Sequence, residues 1–134
     1  MWIGLGVATL ALVLCCGGGT VALAGLIVTG SQAVNEQAQV AVDEYFQAVS
    51  EQDYARAYGL LCAEAQRRES AGDFADRLEE EPEIDSYEVG QASVTSRVVV
   101  PVEVTYATGR RETLRVSLNQ DTDTAELEVC GIEE

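Results

Sequence analysis

Histidine and lysine are both missing from the chain, and all eight of its basic residues are arginine. Without imidazole the commonest metal ligand and the usual proton shuttle are gone, and without an ε-amine no Schiff-base chemistry is open. Catalysis would have to rest on carboxylates, tyrosine or cysteine. Positive charge is scarce as well: 23 acidic residues against 8 arginines give a net charge of −15, which repels a phosphate backbone and excludes nucleic acid as a partner. Neither sign of charge occurs in residues 1–35, so every acidic and basic side chain belongs to the remaining 99 residues.

That charge-free stretch is built from Leu, Val, Ala, Ile, Gly and Cys, and residues 1–30 rise about 45 Å as a helix, enough to cross a ~30 Å hydrocarbon core. A retained single-pass transmembrane anchor over 1–30 is expected, followed by one water-exposed domain over 31–134. Two other readings stay open. Ala22-Leu23-Ala24 offers a small-x-small cleavage site, but no basic residue precedes it and the apolar run continues through Leu26, Ile27 and Val28. Leu12-Val13-Leu14-Cys15 has the outline of a lipobox, with Leu14 where a small residue belongs. Cys15 and Cys16 read as small apolar residues within the segment.

Lys and Arg do not flank the segment before Arg56, so orientation falls to the cysteines. Cys62 and Cys130 are the two in the water-exposed domain, and such a pair persists as a disulfide in an oxidising compartment. This places the C-terminal domain outside the cytoplasm at the cell membrane. Two unrelated buried thiols are the alternative.

Val34, Ala38, Ala41, Val42, Tyr45 and Val49 form one apolar stripe of an amphipathic helix that ends near 50–52. Asp53 is placed to cap a second helix, on which Tyr54, Ala57, Tyr58, Leu61, Cys62 and Ala65 repeat the spacing. Ser70 with Asp73 starts a third, carrying Phe74 and Leu78 and closed by Glu79, Glu80, Glu81 and Pro82. Those carboxylates radiate to different sides, and no metal site is expected there.

From Ile84 the period changes to two. Tyr87 and Val89 share a face, Ala92 and Val94 resume on the opposite parity, and a bulge at Gly90 would reconcile them. Val98, Val100, Val102, Val104 and Tyr106 make the clearest strand; Pro101 lacks a donor, which predicts an edge position or a kink. Gly109 marks a hairpin, Leu114, Val116 and Leu118 alternate, and a polar turn at 119–124 leads to Leu127 and Val129. The result is an α+β domain: three helices on an antiparallel four-stranded meander. Strict alternation turns Cys130 away from the helix side, so a bridge to Cys62 requires a bulge.

The stretches AVDEYFQAV at 41–49, DYARAY at 53–58 and LLC at 60–62, with CCGGG at 15–19, resemble the nuclear transport factor 2-like superfamily. The likeness is to its small membrane-anchored extracytoplasmic bacterial members of lumazine-binding or uncharacterised type. It covers about residues 33–132 and implies a curved sheet wrapped round the helices, a cone-like, cystatin-type roll. Tyr45, Tyr58, Tyr87 and Tyr106 fall on the expected inner faces as lining of any cavity, with no Asp or Glu sharing those positions and no catalytic residue assigned. A non-catalytic binding or accessory module is expected, held by residues 1–30, without a cofactor, and with a protein partner at the cell surface as one option. The alternatives are an isomerase- or dehydratase-type enzyme using a cone cavity, and a structural or assembly role through the anchor.

Overall fold

A computed structural model describes residues 32–134. The anchor expected over 1–30, with Cys15 and Cys16, lies outside the described residues. Among the described residues no helix is long and apolar enough to cross a membrane.

Helix α1 covers residues 32–50 and buries Ala38, Val42, Tyr45, Phe46 and Ala48. Gln52, in the left-handed region at φ 59°, ends the turn, and Asp53 then caps α2 (Tyr54–Gly59) by accepting the Arg56 amide at 3.1 Å. The sequence predicts one helix running on through Ala65; the chain instead leaves it at Leu60 and re-enters as α3 (Ala63–Arg68), giving four helices rather than three among the described residues. A long-range pairing causes the break. Leu61 forms a parallel bridge with Val129, and the Cys62 amide donates to the Val129 carbonyl at 2.8 Å. Strand bonds to a distant segment here outweigh helix propensity that Gly59 has already weakened. Helix α4 (Ala71–Glu80) starts on Ser70, whose hydroxyl accepts the Asp73 amide, and buries Phe74 and Leu78.

The strands are β1 (Ile84–Val89), β2 (Ser93–Val94), β3 (Val98–Tyr106), β4 (Arg111–Gln120) and β5 (Leu127–Glu133), all antiparallel in the order β1-β3-β4-β5, with β2 also on β3. Strand β3 therefore lies inside the sheet, which corrects the edge position predicted from Pro101. The register explains the tolerance. Val89 pairs with Val102 and Ser93 with Val99, so the chain at Gly90–Ala92 bulges opposite Pro101, and the missing N–H points to the one place where the ladder is already open. Helix α1 serves the polar groups that the bulge frees: Gln39 Nε2 donates to the Gly90 carbonyl at 3.0 Å, and the Ala92 amide donates to Asn35 Oδ1 at 2.9 Å.

A second bulge sits in β5. Ser117 pairs with Gly131 and Leu118 with Val129, leaving Cys130 as the extra residue. This shift supplies the inward turn that strict alternation denied it. Cys62 and Cys130 are joined, with Cα atoms 5.2 Å apart across a separation of 68 residues.

One apolar core lies between helices and sheet. Val100, Val102, Val104, Val116, Leu118 and Val129 on the sheet meet Val42, Phe46, Phe74 and Leu78 from the helices. Each such side chain taken fully from water contributes about 1.5–3 kcal/mol before entropy is counted.

Candidate functional site

A cavity of about 490 Å³ opens between α1, α4 and the inner face of β3, β4 and β5. That volume lies in the range of small-molecule sites. Its apolar lining comes from Phe46, Phe74, Leu78, Leu114 and Val129. The helical period of α1 and the alternation of the strands bring these together, because each is the core-facing residue of its own element.

Tyr45 enters from α1 and is 3% exposed. Its hydroxyl has no hydrogen-bond partner among the described residues, yet it is not sealed in, so it opens on the cavity that the side chain lines. Burial, opposed by Arg77 and reinforced by Glu81 and Glu69, holds this phenol well above its ordinary value of 10.0. Tyr106 lines the cavity too, but its hydroxyl donates to Glu112 Oε2 at 3.2 Å; burial first and that carboxylate second raise its pKa.

The other two tyrosines of the predicted set are occupied away from the cavity. Tyr58 donates to the carbonyls of Gln66 and Glu69, 2.9 Å each, and its ring lies against Phe74. Tyr87 reaches from β1 to α1, where its hydroxyl meets Asp43 Oδ1 at 3.0 Å; burial and this carboxylate push it up to about 12.

Charged groups on the lining are mostly matched to each other. Arg77 meets Glu69 at 2.9 Å and Glu81 at 3.3 Å, and its guanidinium stands over the Phe74 ring. Arg110 lies over the Tyr106 ring and 3.6 Å from Glu112. Arg68 meets Glu64 at 3.6 Å and donates to the Cys130 carbonyl at 3.2 Å. Glu112 corrects the expectation that no carboxylate shares the inner face: it pairs with Val104 on the parity of Leu114, Val116 and Leu118, with its side chain 21% exposed. Carrying the β4 alternation one step back from Leu114 would have found it. Among the described residues no group of three or more Cys, Asp or Glu is placed to hold a metal ion.

Geometrically the site can take a small, mainly apolar body and offer it the hydroxyl of Tyr45, with Tyr54 also on the lining. Compared with known proteins, the chain matches no family model and no curated protein.

Proposed function

We propose that this chain is a non-catalytic, extracytoplasmic binding module, tethered by residues 1–30, whose helix–sheet cavity holds a small ligand. The observation that carries the reading is the Tyr45 hydroxyl, without a hydrogen-bond partner among the described residues, on a cavity of about 490 Å³ whose floor is apolar and whose charged wall groups are mostly ion-paired. A ligand that fills the cavity displaces water from this hydroxyl, so one that brings an acceptor is favoured over one that leaves the hydroxyl unmet. The tether and the oxidising compartment are supported by the charge-free first 35 residues and by the Cys62–Cys130 pair. The fold class agrees with the resemblance to the nuclear transport factor 2-like superfamily and its cone-like roll, which remains part of this proposal.

An isomerase- or dehydratase-type enzyme draws on one observation, the Tyr106–Glu112 contact in the cavity wall. The three cavity phenols, Tyr45, Tyr54 and Tyr106, are all shifted upward, chiefly by burial, so they are donors at neutral pH and none is tuned toward a base. Binding is therefore the better reading.

The test is amide NMR of the full-length chain in lipid nanodiscs against a library of small aromatic and aliphatic fragments. Fragments that shift the amides around Tyr45, Phe74 and Leu114 and leave the solution chemically unchanged support binding. Absence of any shift at these residues overturns it, and conversion of a fragment favours the enzyme. A protein partner at the surface would shift exposed residues instead.

A further inference from the structure

Resting on that reading, the ligand class follows from two features of the lining. The first is Tyr45, whose ring is buried while its hydroxyl, without a hydrogen-bond partner among the described residues, stays open to the cavity. The second is that each lining arginine already has a carboxylate within ion-pair distance: Arg77 with Glu69 and Glu81, Arg110 with Glu112, and Arg68 with Glu64. Further carboxylates on the lining, those of Glu133 and Glu134, have no ion pair among the described residues. An entering anion would find no uncommitted cation and would face surplus negative charge.

We propose that the cavity takes an uncharged, mainly apolar molecule with one hydrogen-bond acceptor, such as a carbonyl oxygen, set against the Tyr45 hydroxyl, and that it rejects anions of the same shape. Tyr45 supplies the polar contact that fixes orientation, and Phe46, Phe74 and Leu114 enclose the apolar body. Selectivity against anions comes from the closed arginine–carboxylate pairs, because a carboxylate would lose its water and gain no partner.

Three probes of one shape separate the terms: 2-acetylnaphthalene, which is neutral with an acceptor; 2-ethylnaphthalene, neutral without one; and 2-naphthoate, the anion. Each is titrated into the full-length chain in nanodiscs and read by amide shifts, with lipid-only discs correcting for partition. The ketone is expected to bind about fivefold more tightly than ethylnaphthalene and about tenfold more tightly than naphthoate, the sizes set by one net hydrogen bond and one unpaired charge. Tyr45→Phe should erase the advantage over ethylnaphthalene by weakening ketone binding about fivefold relative to it. Glu69→Gln with Glu81→Gln frees Arg77 and should raise naphthoate affinity severalfold, an arm that stands even if Tyr45→Phe fails to fold. Equal binding of all three probes overturns the ligand class and leaves small-molecule binding standing. No shift at the lining with any probe removes the binding reading as well.

Discussion

The Gly90 amide donates to the Pro101 carbonyl at 2.8 Å, and at that separation a Cβ on residue 90 would stand 2.8 Å from Pro101 Cγ and 2.9 Å from its carbonyl oxygen. Glycine is thus required on one strand by proline on the next. Neither neighbour can give way, since one is a ring and the other is backbone. Gly90→Ala should cost about 1–3 kcal/mol in chemical denaturation. Gly131 gives the control: its Cβ would meet the Ser117 hydroxyl at 2.8 Å, a side-chain group that can rotate away at the loss of its 3.3 Å bond to the Gly131 carbonyl, so Gly131→Ala should cost less. Equal losses would show that the contact with Pro101 is not what forbids a side chain.

The bulge also depends on α1. Gln39→Ala leaves the Gly90 carbonyl without its side-chain donor, and Asn35→Ala leaves the Ala92 amide without its acceptor. Each should cost about 0.5–1.5 kcal/mol, with faster hydrogen exchange at Ala92 in the Asn35 variant. Unchanged exchange there would separate helix α1 from the bulge.

Removing the covalent link has a larger effect. Cys62 and Cys130 enclose a loop of 68 residues, and closing such a loop in the unfolded chain is worth about 3–5 kcal/mol. Cys62→Ala with Cys130→Ala, or reduction of the native chain, should lower the urea midpoint accordingly. In the native state neither thiol should react with maleimide before reduction. Immediate labelling of both would refute the bridge and, with it, the assignment to an oxidising compartment.

Alkaline pH should unfold the domain. Burial raises the pKa values of Tyr45, Tyr106 and Tyr87, the last to about 12, above an ordinary value of 10.0. Between the unfolded and folded values the unfolded chain binds fewer protons, so stability is full below about pH 10 and falls as pH rises past it. The part of the tyrosinate absorbance that comes from these three residues should appear together with loss of circular dichroism rather than before it. Tyr87→Phe should make the decline shallower.

Local signals were legible in the sequence where they were sufficient. Asp53 and Ser70 cap the helices they precede, β3 runs from Val98 to Tyr106, and the parity change at Gly90 is a bulge. What escaped was decided by contacts remote in sequence. Leu61 breaks a helix because Val129 lies beside it, and Pro101 sits in the sheet interior because its missing donor falls on a bulge that α1 supports. Phe46 and Ala48 broaden the buried stripe of α1 beyond the residues that period alone selected. Of the candidate site, Tyr45 and Tyr106 were readable from pattern, whereas Glu112 was hidden by its charge at a position whose neighbours are all aliphatic. That Tyr45 alone of the four inner-face tyrosines keeps its hydroxyl free among the described residues could not be read at all, because the partners of Tyr58 and Tyr87 come from other elements.

The pairing of residues 60–62 with the last strand bears on how the chain is made. Synthesis runs from the N-terminus, so the helices and β1 to β4 emerge while the segment they must grip is still inside the ribosome. Until residue 130 emerges, Cys62 has no sulfur to join and Leu61 no strand to lie against. The nascent domain should therefore stay open and protease-sensitive until residues 129 and 130 have emerged, then close in one step.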